Sequence, residues 1–254
     1  MRRASARCSC EYRVNNKKQL SISLEPAEQN DAFSMLNLDE AKATLLELMQ
    51  SKSVVRGDFT LSSGVKSDYY VDCKLTTLDP QGAWLAGHLM HTLIRTEEAA
   101  SKARVDAVGG LTMGADPIAL AIGMYSYFAK DATPLQVFSV RKSAKAHGQT
   151  KLVEGNFKRG DSVVVIDDVV TRGESTLAAI SAVEQEGGRV AFVAVLVDRQ
   201  EGGRAKIEAA GHRVVALFNK SDLLGDHARP SERATALLQK LTAGNRIAPE
   251  VVQD

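Results

Sequence analysis

The feature that most limits how this 254-residue chain folds is a run of four β-branched residues, Val163-Val164-Val165-Ile166, leading straight into Asp167-Asp168. A segment apolar at every position fits a strand buried on both faces, and such strands belong to parallel sheets covered by helices. The two acids stand where that strand is expected to run out. A short polar loop comes next, Thr171-Arg172-Gly173-Glu174-Ser175-Thr176, and then Leu177, Ile180 and Val183 recur at helical spacing.

Strand, acidic pair, hydroxyl-rich loop and helix make up a phosphorylated-sugar site. Backbone N–H groups at a helix start carry partial positive charge and favour a phosphate. Serine and threonine hydroxyls add hydrogen bonds to the same anion. Ionised carboxylates only accept hydrogen bonds, so they suit sugar hydroxyls or a hydrated Mg²⁺.

The other segments supply the frame. Residues 1–34 are unlike the rest of the chain: Arg2, Arg3, Arg7, Arg13, Lys17 and Lys18 face only Glu11 in the first eighteen positions. This reads as a disordered extension, with a targeting segment or a true start at Met35 left open. The folded region, 35–254, is expected to begin with a helix capped by Asp39 and carrying Leu45, Leu46, Leu48 and Met49. Two apolar runs between Val54 and Asp72 flank a glycine-containing turn and predict a hairpin, so that 35–79 forms a small N-terminal hood. Helices are expected from Pro80 to Glu97, from Ile118 to Ala129 behind an Asp116-Pro117 cap, over 204–210, and from Pro230 to Thr242. Strands are expected over Val105–Val108, ending at Gly109-Gly110, and over Leu135–Val140, Val190–Val197 and Val214–Phe218. This alternation argues for an α/β fold with a mainly parallel open sheet flanked by helices.

Composition narrows the function. A net charge of +1 gives no bulk electrostatic case for nucleic acid, and no apolar run approaches the roughly 20 residues of a membrane helix. Cys8, Cys10 and Cys73 are odd in number and form no CxxC pair, so neither a disulfide framework nor a zinc knuckle is supported. A reducing cytoplasm is the simplest setting.

Open parallel sheets bind ligands beyond the carboxyl ends of their strands. Four such ends carry unusual chemistry: Gly109-Gly110, Asp167-Asp168, Asp198-Arg199, and the basic stretch Arg141-Lys142-x-x-Lys145-x-His147-Gly148. That stretch lacks hydrophobic periodicity and suits a lid closing over a polyanion. Tyr69 and Tyr70 read as packing residues and Cys73 as an inert buried thiol.

At these residues the chain resembles the type I phosphoribosyltransferases, whose motif for 5-phosphoribosyl 1-pyrophosphate (PRPP) matches Val163 to Ser175. Three further matches place the resemblance in the orotate phosphoribosyltransferase family: Phe59 to Ser67 with Tyr69-Tyr70 behind it, Arg141 to Gly148, and Asp198-Arg199-Gln200-Glu201. They cover about residues 54 to 202 in order. The resemblance implies Mg²⁺-dependent transfer of phosphoribose from PRPP to orotate, giving orotidine 5′-monophosphate and pyrophosphate on the route to UMP. It implies that Asp167 and Asp168 hold the ribose hydroxyls. By the same resemblance, Val169, Val170, Thr171, Arg172, Gly173, Glu174 and Ser175 would wrap the 5′-phosphate. Arg141, Lys142, Lys145 and His147 would grip the pyrophosphate across a homodimer interface, with Lys145 catalytic alongside the two acids. Thr171, Arg199 and the backbone at Tyr70 and Val71 would contact orotate. No protein metal cage is implied, since PRPP and water carry the Mg²⁺. Many family members have lysine at the position of Ser62 and another near Gly114, and this chain has neither. Two alternatives stay open: a purine or xanthine phosphoribosyltransferase shares the opening motif but does not explain the hairpin, the basic lid and Asp198–Glu201 together, and a PRPP-sensing regulator should lack the cationic lid and usually adds a DNA-binding region.

Lys145→Ala is expected to lower kcat by roughly 10²-fold or more, as loss of one transition-state electrostatic donor does. Steady-state turnover with saturating substrates checks it, and an unchanged rate would remove the lid from the mechanism.

Overall fold

A computed structural model describes residues 37–60, 66–143 and 151–225 of the chain. In chain order the elements are α1 (Leu38–Lys52), β1 (Val54–Thr60), β2 (Lys66–Val71), α2 (Lys74–Thr77), α3 (Pro80–Ser101), β3 (Ala107–Leu111), α4 (Ala115–Phe128) and β4 (Gln136–Val140). Beyond these lie β5 (Val153–Gly155), β6 (Ser162–Val170), α5 (Glu174–Gln185), β7 (Arg189–Asp198), α6 (Gly203–Ala209), β8 (Val214–Asn219) and α7 (Lys220–Leu224).

The fully apolar strand lies near the middle of a six-stranded sheet of order β5-β4-β3-β6-β7-β8. All pairings are parallel except that of β5 with β4. Val163 and Val165 of β6 pack on the α5 side with Ile180 and Val183, while Val164 and Ile166 pack on the other side with Leu89, Ile118 and Ile122. Both faces are therefore buried, as the sequence of β6 demands. The hairpin β1–β2 forms its own two-stranded antiparallel sheet.

The chain order of the parallel strands reverses between β3 and β6. From β3 the next parallel strand, β4, is laid to one side, and β6, β7 and β8 are laid to the other. Ligands of doubly wound sheets bind in the crevice that opens at this point. A polar clamp fixes α3 against the α4–β4 connection beneath it. The Asp131 carboxylate accepts from Ser126 Oγ at 2.6 Å and Arg95 Nη2 at 2.7 Å, and lies 2.8 Å from His91 Nε2. Burial alone would raise this carboxyl's pKa, but the hydrogen bonds from Ser126, His91 and Arg95 more than offset that and hold it at about 2.

Several boundaries differ from expectation. The cap of α1 is Asn37, not Asp39; its side chain accepts from Glu40 N–H in a reciprocal capping box. Helix α4 begins one residue before Asp116, with Gly114 as its cap. Asp116 instead receives Thr112 Oγ1 at 2.7 Å and Ser139 Oγ at 2.6 Å, tying the β3–α4 turn to β4. Gly109 and Gly110 lie inside β3 rather than ending it, because a Cβ on either would overlap the carbonyl oxygens of Phe138 and Ile166 in the neighbouring strands. Strand β5, α2 and α7 are too short for periodicity to reveal. The expected helix over Pro230–Thr242 and the extension 1–34 lie outside the described residues.

Asp131→Ala is expected to destabilise the protein by about 2 kcal/mol, the scale of hydrogen bonds to a charged group. Urea unfolding at neutral pH measures it. Because the folded-state pKa is depressed, this contribution is present above 3.8 and is lost as pH falls through about 2.

Candidate active site

The acids of β6 do not mark its end: the strand continues through Val170. Asp167 is buried, at 6% exposure. Thr176 Oγ1, on the first turns of α5, donates to its Oδ2 at 2.6 Å, and the Asp168 N–H donates to its Oδ1 at 3.0 Å. Burial pushes the Asp167 pKa up to about 7; the Thr176 hydrogen bond opposes the rise, and the neighbouring Asp168 charge adds to it. Asp168 is only half-buried and reaches the β3–α4 turn, where a Cβ on Gly114 would overlap its carboxylate. Any side chain at Gly114 would crowd the Asp168 carboxylate. Cys73, fully buried, lies with its Sγ 3.9 Å from the Asp168 carbonyl oxygen, and burial raises its thiol pKa, which leaves it inert as expected.

The loop after β6 is short: Val169 and Val170 still belong to the strand, and Glu174 and Ser175 already open α5. Thr171, Arg172 and Gly173 make the turn, with Gly173 at φ 79°, a left-handed conformation that favours glycine. No side chain caps α5. Its first N–H groups are thus directed at the turn, as a phosphate requires. The Glu174 carboxylate is drawn away to Lys206 Nζ at 3.0 Å. The turn rests on the start of α6, where Gly203 N–H donates to Thr171 O at 3.0 Å.

Arg199 comes directly after β7 and is joined to the same loop by its N–H, which donates to Val170 O at 3.0 Å. The residue is buried, at 6% exposure. Nε donates to Tyr69 Oη at 3.1 Å, and the guanidinium carbon lies 4.6 Å from the Tyr69 ring centroid. Nη2 sits 2.8 Å from Glu201 Oε1, yet it makes no aligned hydrogen bond among the described residues. Tyr69 also donates to Glu201 Oε1, at 3.3 Å. The hairpin therefore does more than pack: Tyr69 orients Arg199. Tyr70, 44% exposed, and Val71 continue the strand beside it.

Of the basic stretch, Arg141 and Lys142 are described and Lys145 and His147 lie outside the described residues, as does Ser62. Arg141 comes directly after β4, and its Nη1 lies 3.7 Å from Glu154 Oε1. Sequence reasoning gives no site role to Thr176, Tyr69, Glu201 or Asp116. Thr176 is visible as the last hydroxyl of the loop and Glu201 as the end of the Asp198–Glu201 stretch, whereas Tyr69 and Asp116 are joined to the site by contacts between segments separated in the chain.

A 2-1-3-4-5 order of parallel strands, with an acidic pair and an uncapped helix start at the reversal point, defines the class of the type I phosphoribosyltransferases. No family model matches the chain. It is 43% identical over 193 residues to orotate phosphoribosyltransferase of Aquifex aeolicus, covering 75% of this chain and 100% of that protein. It is also 37% identical over 204 residues to the Tropheryma whipplei enzyme of that name, covering 80% of this chain and 92% of that protein. The crystal structure of Mycobacterium tuberculosis orotate phosphoribosyltransferase in complex with PRPP matches with a TM-score of 0.58 at 39% identity, covering 72% of this chain and 98% of that one. Adenine phosphoribosyltransferase of Saccharomyces cerevisiae, 18% identical with a TM-score of 0.51 and covering 69% of this chain and 99% of that one, shares the fold. The chain belongs to the orotate phosphoribosyltransferase family.

Asp167→Asn is expected to flatten part of the pH dependence of stability in the ligand-free protein. A carboxyl whose folded-state pKa is raised binds its proton more tightly when folded, so its contribution is complete below 3.8 and is lost as pH rises through about 7. The variant should match the native protein in urea at low pH and exceed it by about 1–3 kcal/mol at alkaline pH.

Proposed function

We propose that this chain transfers the phosphoribosyl group of PRPP to orotate by displacement at the anomeric carbon with inversion, releasing pyrophosphate and forming orotidine 5′-monophosphate for UMP synthesis. The observation that carries this reading is the buried Arg199, anchored on Tyr69 and bonded through its own N–H to Val170 at the end of the acidic strand. This holds a planar, donor-rich group beside the phosphosugar loop, where the guanidinium fork suits the carbonyls or carboxylate of a pyrimidine. The α5 start and the hydroxyls of Thr171 and Ser175 receive the 5′-phosphate. Asp167 and Asp168 hold the ribose hydroxyls in this reading, the half-buried Asp168 being the more accessible of the two. Positive charge develops on the ribose ring as pyrophosphate departs, and the acidic side of the crevice favours it. Orotate's ring nitrogen requires no dedicated base.

Among the described residues no cluster of three or more His, Cys, Asp or Glu side chains could cage a metal. The half-buried Asp168 carboxylate suits a hydrated Mg²⁺ that arrives with its phosphate ligands. Such an ion supplies charge neutralisation on the pyrophosphate. Arg141, Lys142, Lys145 and His147 grip the same leaving group in our reading, from a lid shared across a homodimer. The lid also keeps water from PRPP. We place the enzyme in the cytoplasm, a reducing setting that suits the free, buried thiol of Cys73. Among the described residues no helix is long and apolar enough to cross a membrane.

Loss of orotate ultraviolet absorbance in the presence of PRPP and Mg²⁺ tests the reaction. Arg199→Ala should raise KM for orotate at least roughly tenfold, the cost of stranding or losing a charged hydrogen-bond partner, with a far smaller effect on KM for PRPP. Equal effects on both would reject the assignment of Arg199 to the base.

A further inference from the structure

We propose that Lys220 is a second cation of the base pocket and binds the carboxylate of orotate, so that Arg199 and Lys220 together select a carboxylate-bearing pyrimidine. The inference rests on the orotate reading above and extends it to a residue outside the recognised motifs.

Charge balance in the pocket calls for such a group. Arg199 is the buried cation there, but Glu201 Oε1 lies 2.8 Å from its Nη2 and already balances it. An ionised orotate entering beside this pair alone would leave an excess negative charge in a partly dehydrated crevice, which is costly. One further cation restores balance.

Lys220 stands where that cation is needed. Asp198 at the end of β7 and Asn219 at the end of β8 are register partners across the parallel ladder. Arg199 and Lys220 are the residues immediately after them, so adjacent strand ends deliver both cations to the same edge of the sheet. They converge on one ring: the Arg199 guanidinium carbon is 4.6 Å from the Tyr69 centroid, and Lys220 Nζ is 5.1 Å from it. Lys220 is half-buried, and among the described residues no carboxylate lies within ion-pair distance of its ammonium. Asp222, in the same turn, is committed to the Asn219 N–H at 2.8 Å. Helix stability does not explain the residue either, because it opens α7, an end that disfavours positive charge. The ring of Tyr69 holds the ammonium by cation–π attraction and leaves its N–H donors for a ligand.

The test compares KM for orotate with KM for PRPP in the full chain. Lys220→Met keeps most of the length of the side chain and removes the charge. It should raise KM for orotate roughly tenfold or more, the effect of losing one charge-assisted hydrogen bond, while KM for PRPP moves less than about twofold. Lys220→Arg, which keeps the charge, should bring KM for orotate back to within about threefold of the native value. A merely structural lysine would raise both constants or neither, and either result overturns the proposal. A native protein that binds PRPP but leaves orotate unconsumed overturns the orotate reading and this inference with it. Normal native turnover beside an unchanged Lys220→Met overturns this inference alone.

Discussion

The site depends on one strand being buried on both faces while carrying two acids toward its end, at Asp167 and Asp168. Strand β6 pairs with β3 on one side and β7 on the other, and its valines face helices above and below. That burial fixes the strand's position and carries Asp167 into the interior with it. A carboxyl there raises its own pKa, and the structure meets the cost with one hydroxyl, Thr176, and one backbone N–H. The Thr176 bond also locks the first turns of α5 to the strand, so the partner that satisfies the acid sets the angle of the Thr171–Gly173 turn.

From this fixed strand the site grows outward by contacts between neighbouring strand ends. The β3–α4 turn reaches Asp168 and is held to β4 through Asp116. The end of β7 returns a backbone hydrogen bond to Val170, which places Arg199 beside the end of the acidic strand. The hairpin supplies Tyr69, which carries Arg199 on its ring and its hydroxyl. Each of these side chains is positioned by regular secondary structure rather than by long loops. This rigidity is what displacement at a carbon needs, since reacting groups must be held near attack geometry before the bond breaks.

Much of this is legible in the chain itself. The β-branched run announces a parallel sheet, the alternation of periodicities gives the order of strands and helices, and the acids with their hydroxyl loop carry the resemblance to the family. The boundaries read less well. Gly109 and Gly110 look like a strand end in sequence, yet they continue the strand because its neighbours approach too closely for a Cβ. Asp116-Pro117 looks like a helix cap, but two hydroxyls from other positions claim the aspartate. Local rules fail at these places because a tertiary contact overrides the local one.

The sequence by itself determined the class of fold, the identity of the phosphosugar motif and the chemical types of the groups around it, since these come from periodicity and from residues adjacent in the chain. Only the tertiary structure decided how the two acids differ, which side chain orients Arg199, and that Lys220 shares its ring. Those properties come from burial and from contacts between segments more than a hundred residues apart, such as Tyr69 with Arg199 (130 positions). Distances of that kind are set by the register of neighbouring strands, which no single stretch of the chain encodes.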